Sequence, residues 1–352
     1  RVPAVPRPPR DPAPSLAEAV MELFEMPSMS QAWRAVRTGQ VFVDGVKRKA
    51  DFRVSGGERV EWRQRREGAP TLDEALVPED LRRRFRVCYE DDDMAVVWKP
   101  ECVETAGQDG SGWSALRISY HFLRPSSARG AYRRPRVVHR LDSPTSGLLC
   151  LAKTQPACAA LCRAFEEHKA RKRYVAIVVG PPILDPVGRL ESPLRCMLPG
   201  RHDELQSAAT EYEVLDFTPL PATLGGGLST VAFRPLTGRT HQIRRHAAQE
   251  LERPILGDTR YGSPESTGVI AAGAGLFLSA VELEVPSASG ASPTVHVVEK
   301  EPAKFHEARC QAAQHMRAEA DEAEVEDSVG TEAVGSGGAD TAELKHATQS
   351  SA

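Results

Sequence analysis

The pattern of apolar and polar positions along the chain predicts a series of short β-strands. Runs rich in Val, Ile and Leu are separated by turns that contain Gly, Pro or Asp, which is typical of sheet proteins. The run at 86–90 is followed by an acidic turn and a second run at 94–100, and this arrangement predicts a hairpin. Further strands are predicted at 174–179, 210–217, 228–235 and 275–285.

Helical spacing occurs in fewer places. Ala157, Leu161 and Phe165 recur every four residues and predict a helix over 155–169. Because strands and helices do not alternate in a strict βαβ order, the pattern favours an α+β fold over a doubly wound parallel sheet. Two further helices are predicted at 113–123 and 239–250.

Composition predicts how the chain is divided. Two short helices, the first capped by Ser15, precede small β elements and predict a compact module over 15–62. The Pro-rich leader at 1–14 is predicted to be disordered, with a transit-peptide remnant as the alternative. A charged linker at 63–84 leads to the main domain at 85–309, and the acidic tail at 310–352 is predicted to be disordered.

The distribution of charge favours a polyanionic partner. The formal net charge of −3 is concentrated in the tail, so the preceding chain is mildly basic. Basic residues cluster at 82–86, 129–140 and 169–173. Such clusters suit RNA, since each phosphate contact releases counterions, but solvated basic faces give the same pattern.

Cysteine usage and hydropathy indicate an intracellular protein. The seven cysteines form no C-x-x-C pair, and several lie inside apolar runs, which is typical of reduced, buried thiols. No apolar stretch approaches the ~18 residues that span a bilayer, and none resembles a secretory signal. We therefore expect no membrane partner and a location in the cytoplasm, the nucleus or an organelle such as a mitochondrion or plastid.

The stretch at 138–153, VHRLDSPTSGLLCLAK, combines apolar runs with charged residues at a turn. It predicts a strand, a polar turn and a second strand. On an extended backbone Arg140 and Asp142 project from one side and Leu141 from the other. A functional cluster on this turn is therefore plausible.

Other motifs offer less chemistry. The run of three glycines at 225–227 lacks the Lys and Ser/Thr of a phosphate loop and predicts a turn. His241 and His246 are five residues apart with no completing ligand, so we expect no metal site. Asp142 beside Arg140 and the basic block at 237–246 suits a nucleophile or base, but an ordinary Arg–Asp bridge between two loops fits these residues equally well.

Several long motifs in order resemble the RluA-type pseudouridine synthases. They are HRLDSPTSGLLCLAK at 139–153, Lys-Arg-Tyr at 172–174, GRTHQIR at 238–244 and PILGDTRYG at 254–262. The resemblance extends over roughly 85–306 and implies a mixed, largely antiparallel central sheet with flanking helices and loops. It also implies an isomerase that converts uridines in RNA to pseudouridine by base flipping, and no metal or other cofactor.

The resemblance implies roles for individual residues. Asp142 matches the catalytic aspartate, which acts on the glycosidic link so that the base detaches and rejoins through carbon five. Arg140 matches the arginine that fills the gap left by the flipped nucleotide, and Tyr174 the tyrosine that lies against the base. Arg239 matches the arginine that pairs with the catalytic carboxylate. Possible further RNA contacts are His139, Thr145, His241, Gln242 and Arg244.

The module at 15–62 resembles the small RNA-binding domain named after a small-subunit ribosomal protein. The matching pieces are GQVFVDG at 39–45 and GERV at 57–60. The likeness implies RNA contacts by basic residues, although plain surface charges are the alternative. We expect RNA, ribosomal or transfer, as partner and a monomer, with a catalytically silent RNA-binding relative in RNA folding or assembly as the alternative function. The basic residues are Arg34, Arg37, Lys47 and Arg48.

Overall fold

The computed structural model describes residues 13–26, 28–37, 39–62, 74–107, 112–197, 204–262, 273–287 and 293–334. The chain folds as two compact units, Arg1–Ala69 and Pro70–Ala352. The predicted leader lies almost wholly outside the described residues.

The first unit contains the two helices and small sheet predicted for it. Ser15 caps α1 and forms a reciprocal pair of hydrogen bonds with Glu18, an arrangement that satisfies free backbone groups at the helix start. The apolar faces of the helices and strands pack into one buried cluster that includes Leu16, Val20 and Val41. Its RNA-binding role stays a prediction. The elements are α1 (Leu16–Leu23), α2 (Met29–Arg37), β1 (Val41–Val43) and β2 (Val60–Trp62).

The second unit is built on a large sheet, and the predicted α+β class is confirmed. Ten of its described strands join in the order β3-β4-β6-β13-β7-β12-β11-β8, with β5 on β6 and β14 on β13. The pairings are antiparallel except β6 with β13. The strands are β3 (Arg86–Glu90), β4 (Met94–Lys99), β5 (Ala131–Val137), β6 (Ser146–Thr154), β7 (Arg171–Val179), β8 (Val187–Leu190), β9 (Leu194–Arg195), β10 (Leu205–Gln206), β11 (Thr210–Pro219), β12 (Gly227–Pro235), β13 (Leu278–Pro286) and β14 (Thr294–Val298). The helices are α3 (Glu79–Arg84), α4 (Ala115–Phe122), α5 (Gln155–Glu166), α6 (Gln242–Gln249) and α7 (Ala303–Val334).

Strand β6 separates two apolar cores because alternate side chains point to opposite faces. Leu149 and Leu151 belong to the core that includes residues of α4, α6 and α7. Leu148 and Cys150 belong to the core that includes residues of α5 and β14. Helices therefore cover both faces of the sheet, which explains why β6 is buried at every position.

Gly147 allows the parallel pairing of β6 with β13. Its φ is +122°, and a Cβ there would collide with the carbonyl oxygen of Ala280. Ser146 and Ser279, which are paired in the same register, also hydrogen-bond through their hydroxyls at 3.1 Å. The close approach fixes the end of the turn that carries Asp142.

Two predicted boundaries differ from the structure. Part of the predicted linker is folded, since 74–84 contains a 3-10 turn and α3, and Val77 is buried in the core. The predicted disordered tail begins inside α7, where Ala308 and Ala312, one turn apart, pack into the core. Residues 63–73 and 335–352 lie outside the described part. Among the described residues, no helix has the length and apolar character that a membrane crossing requires.

Candidate active site

One cavity of about 360 Å³ gathers the segments that carry the predicted chemistry. Strand β5 leads into the turn at 138–145, β7 begins beside it, and the loop after β12 enters α6. Side chains from all three segments line the cavity. The sheet thus brings together residues that are about a hundred positions apart in the sequence.

Asp142 follows a segment that hydrogen bonds hold in place. Strand β5 ends at Val137, so the predicted strand does not reach the aspartate. Leu141 is buried, and Thr105 ties down its backbone twice, donating to its carbonyl at 2.7 Å and accepting from its N–H at 3.0 Å. Arg140 is exposed and Asp142 is partly exposed. Leu141 is thus more buried than its two charged neighbours, although no strand forms here.

Lys99 supports the same turn from inside the fold. Its side chain is fully buried at the end of β4. The ammonium donates to the carbonyls of Pro100 at 2.8 Å, Val103 at 2.6 Å and Ser143 at 3.0 Å. Three acceptors match the three N–H bonds of a lysine. Ser143 follows Asp142 directly, so Lys99 anchors the turn beside the carboxylate.

Two basic side chains approach the Asp142 carboxylate. Nε2 of His241 lies 3.8 Å from Oδ1, and Nη1 of Arg244 lies 4.0 Å from Oδ2. Burial lowers the pKa of His241, and the charge of Asp142 opposes that shift. Arg244 is therefore the permanent positive charge at this carboxylate.

Asp258 holds Arg244 in place. It accepts from Nε at 2.8 Å and from Nη2 at 2.7 Å, and both side chains are buried. Burial raises the pKa of Asp258, but the hydrogen bonds and charge of Arg244 outweigh that effect and leave the pKa below its usual value. This geometry leaves Nη1 of Arg244 on the side of Asp142.

Arg239 does not form the pairing predicted for it. Its Nε donates to the carbonyl of Ser207 at 2.9 Å, whereas Arg244 approaches Asp142. The physical reason is the start of α6, which begins at Gln242 after a left-handed residue, His241, with φ of 54°. Arg239 lies in the loop before the helix, and Arg244 lies in the first helical turn.

Tyr174 contributes a buried ring to the cavity. It lies in β7 and is 9% exposed. Burial and the charge of Asp142 both raise its pKa, so the phenol is neutral. The Tyr174 side chain and the Asp142 carboxylate line the same cavity. A ring in this position offers a flat apolar surface to a planar base.

His139 acts as an internal support. Its Nε2 accepts from the backbone N–H of Cys150 at 2.9 Å. The ring stacks on Phe165, with centroids 4.3 Å apart. Burial, and then the charge of Lys172, lowers the pKa of His139 to about 3, so it is neutral.

Gln242 fastens the loop before α6. Its Oε1 accepts from Thr237 at 2.6 Å and from the N–H of Arg239 at 3.0 Å. Its Nε2 donates to the carbonyl of Ala209 and to the hydroxyl of Thr210, each at 2.9 Å. The amide oxygen and nitrogen of Gln242 are both fully engaged in these bonds, so the side chain holds the loop before α6 in place. Its predicted RNA contact stays a prediction.

Comparisons with known proteins decide the family. The family model for RNA pseudouridylate synthase matches residues 93–249. Ribosomal large subunit pseudouridine synthase D of Vibrio cholerae is 33% identical over 258 residues, which cover 70% of this chain and 72% of that protein. The chain belongs to the RNA pseudouridylate synthase family. Membership makes it an isomerase that acts on RNA, as predicted.

Further relatives and structures resemble this synthase. Ribosomal large subunit pseudouridine synthase C of Rickettsia prowazekii is 30% identical over 264 residues, covering 71% of this chain and 82% of that protein. RNA pseudouridine synthase 4, mitochondrial, of Arabidopsis thaliana is 31% identical over 223 residues, covering 55% and 44%. Human RNA pseudouridylate synthase domain containing 1 is 24% identical with a TM-score of 0.50, covering 64% and 87%, and shares the fold.

The predicted residues of the synthase domain converge on one cavity, although their roles stay predictions. Within the described chain, no group of three or more His, Cys, Asp or Glu side chains could hold a metal ion. The hydroxyl of Thr145, one of the lining residues, is buried without a hydrogen-bond partner in the described structure. The predicted residues that line the cavity are His139, Arg140, Asp142, Thr145, Tyr174, Arg239, His241, Gln242 and Arg244.

Sequence reasoning assigned no role to several residues that build the site. Asp258 lies inside the PILGDTRYG motif at 254–262, and this could have marked it. Lys99 lies in the run at 94–100, which predicted only a strand. Lys172 lies in the Lys-Arg-Tyr motif and lines the cavity. Thr105 carries no signal in the sequence, since only the fold brings it to Leu141.

The predicted RNA contacts of the first unit are surface residues where the structure describes them. Arg37, Lys47 and Arg48 are exposed. The Lys47 ammonium lies 5.7 Å from the ring centroid of Phe42. The side chain of Arg34 lies outside the described part of the structure.

Proposed function

We propose that this synthase modifies uridines of ribosomal RNA, with Asp142 as the catalytic group. The observation that carries the proposal is the arrangement around Asp142. Its carboxylate lies in a cavity with Arg244 4.0 Å away on one side and shares that cavity with the buried ring of Tyr174. A cation that stabilises a carboxylate suits a group that acts as a nucleophile or base.

The chemistry at Asp142 needs no redox partner. The bond between the sugar and N1 of uracil breaks, the base rotates, and a bond from the sugar to carbon five forms. The proton lost from carbon five is balanced by the one gained at N1. The reaction is therefore an isomerisation, and acid–base and nucleophilic groups of the chain suffice for it.

Arg140 and Tyr174 stabilise the flipped-out state of the RNA in different ways. A base inside a helix must flip out to be reached, which costs a few kcal/mol. Arg140 is exposed at the cavity and has a planar guanidinium that stacks on bases. Tyr174 offers the flipped base a stacking surface, which contributes about 1–3 kcal/mol.

Ribosomal RNA is the substrate we favour. Two relatives that this chain covers by 72% and 82% are named for the large ribosomal subunit. Arg37, Lys47 and Arg48 on the first unit would extend the RNA footprint through phosphate contacts. The synthase acts as a monomer in this proposal, since one chain supplies every group of the site.

Incubation of the purified protein with ribosomal RNA or transfer RNA tests the substrate. Pseudouridine is mapped in each RNA after reaction. We expect product in large-subunit ribosomal RNA. Product in transfer RNA alone would overturn the substrate assignment, and no product in any RNA despite tight binding would favour a silent RNA-binding relative.

Arg140→Ala tests the flipping role. We expect the variant to modify structured RNA much more slowly than wild type and an unpaired strand only slightly more slowly. The control is Arg133→Ala, an exposed arginine of β5 outside the cavity. Equal losses on both RNAs would contradict a role for Arg140 in holding a helix open.

A further inference from the structure

Lys172 and Tyr174 share one face of β7. Successive side chains of a strand alternate, so residues two apart point the same way, with their Cα atoms about 7 Å apart. Both residues line the cavity of Asp142. The strand therefore places an ammonium one pleat away from the ring proposed to bear the base.

Lys172 also lines a second cavity of about 500 Å³. The two cavities share His168, Lys172 and Pro235 as lining residues. Lys172 thus lies where one cavity adjoins the other. An RNA strand with its target base in the first cavity has a path for the neighbouring nucleotides into the second.

The charge of Lys172 lacks a carboxylate among the described residues. No acidic side chain of that part lies within 4.0 Å of its Nζ, and its recorded contact is with the Phe165 ring, 5.8 Å away. Burial lowers the pKa of Lys172. Its charge also contributes to keeping His139 neutral. A partly buried cation without a counter-charge is costly, so an anionic ligand would stabilise it.

Two carboxylates near Lys172 already have partners. Arg171, on the opposite face of β7, lies 3.7 Å from Glu284. Glu282 pairs with His296 at 2.9 Å. Two of the carboxylates that line the second cavity therefore have their own partners.

We propose that Lys172 binds a phosphodiester group of the strand that carries the target uridine, at the junction of the two cavities. The proposal rests on the proposed function, because it places the base at Tyr174. A lysine ammonium is a compact point charge that suits phosphate. One phosphate held here would fix the register of the strand relative to Asp142.

Binding measurements with neutralised phosphates test the proposal. The probe is a short single-stranded RNA with one central uridine and a methylphosphonate linkage at one position at a time. Measurements in the Asp142→Asn background exclude turnover. For the protein with Lys172 intact, we expect one linkage near the uridine whose neutralisation weakens RNA binding about 10-fold. This is the effect expected for a charge-assisted hydrogen bond.

The variants Lys172→Met and Lys172→Arg identify the group that reads this position. Lys172→Met should bind the unmodified RNA about 10-fold more weakly and be insensitive to the neutral linkage at that position. Its salt dependence should lose about 0.7 of a unit in slope, the value for one phosphate contact on a single strand. Lys172→Arg should keep the sensitivity. The matched control is Lys169→Met, an exposed lysine paired with Glu167, which should behave like the parent.

Two results would overturn the proposal. One is an Asp142→Asn parent, with Lys172 intact, that shows no position-specific penalty, a result that needs no change at position 172. The other is a Lys172→Met protein that keeps the penalty in full. Failure of the proposed function is a separate outcome, seen when wild type binds RNA but forms no pseudouridine.

Discussion

Arg244 and Asp258 form a buried ion pair with two hydrogen bonds, at 2.8 and 2.7 Å. The pair uses Nε and Nη2 of the guanidinium and leaves Nη1 4.0 Å from Asp142. A guanidinium held by two bonds cannot rotate about its own axis. Asp258 therefore controls the distance between Arg244 and Asp142.

Arg244→Lys should lower the single-turnover rate of pseudouridine formation by about 100-fold, the usual cost of losing one oriented donor at a charged centre. The lysine keeps the charge but not the planar fork. Arg239→Ala is the matched comparison, because Arg239 lines the same cavity without reaching Asp142. A larger rate loss for Arg239→Ala than for Arg244→Lys would restore the pairing first predicted from the sequence.

Asp258→Asn should lower both stability and rate. Removing one member of a buried pair leaves an unpaired charge and costs about 3 kcal/mol in the free energy of unfolding. The rate should fall more than the RNA affinity, because Arg244 loses its orientation. Denaturant unfolding and single-turnover kinetics measure the two effects. Asp216→Asn, on an exposed residue of β11, is the control, and equal behaviour of the two variants would contradict the account.

His139 should make stability depend on pH. Its pKa is about 3 in the folded protein and 6.5 in the absence of the fold, so the unfolded chain binds the proton more readily. The contribution of neutral His139 to the free energy of unfolding is therefore fully present above the unfolded pKa of 6.5 and is lost as the pH falls toward the folded pKa of about 3. The loss between pH 7 and about pH 5 should be about 2 kcal/mol.

His139→Gln isolates this contribution. Glutamine keeps an acceptor for the Cys150 N–H but does not titrate. The variant should lose about 2 kcal/mol less than wild type over that pH range, measured by urea unfolding at each pH. His315→Gln, on an exposed residue of α7, should follow wild type. The same pH dependence in His139→Gln and wild type would exclude His139 as its source.

Lys99→Met should loosen the turn that carries Asp142. The change leaves three carbonyl groups without their buried donor, and we expect a loss of about 3 kcal/mol in the free energy of unfolding. The rate of hydrogen exchange at the backbone amides within 141–146 should increase in the variant. Lys300→Met, on an exposed lysine, is the control. Unchanged exchange at the turn would show that Lys99 does not support it.

Much of the sheet could be predicted because buried strands carry continuous apolar runs. The predicted run at 174–179 lies inside β7, and that at 228–235 lies inside β12. The family motifs likewise identified the cavity-lining residues before any geometry was known. The order of apolar residues was therefore sufficient to predict strands that are buried along most of their length.

The start of α6 could not be predicted in this way. The sequence predicted a helix from 239, but the side chain of Gln242 accepts a hydrogen bond from the N–H of Arg239, and His241 adopts a left-handed conformation. These are side-chain and backbone effects that hydrophobic spacing does not record. The three-residue difference decides which arginine faces Asp142.

Tertiary contacts explain why the sequence did not predict the role of Asp258 or the helix at the start of the tail. Asp258 lies 116 positions from Asp142 in the sequence, and only the fold brings it to Arg244. The acidic composition after 310 suggested disorder, but Ala308 and Ala312 form an apolar stripe that packs α7 on the core. Both effects depend on residues far away in the chain.

The most direct test of the central claim is single-turnover conversion by Asp142→Asn, with RNA affinity measured in parallel. Asparagine keeps the size of the side chain but removes the charge that the proposed mechanism assigns to Asp142. We predict that the variant binds the substrate RNA of the wild type with similar affinity and forms no pseudouridine. Pseudouridine formed by the variant at the wild-type rate would contradict the assignment of Asp142 as the catalytic group.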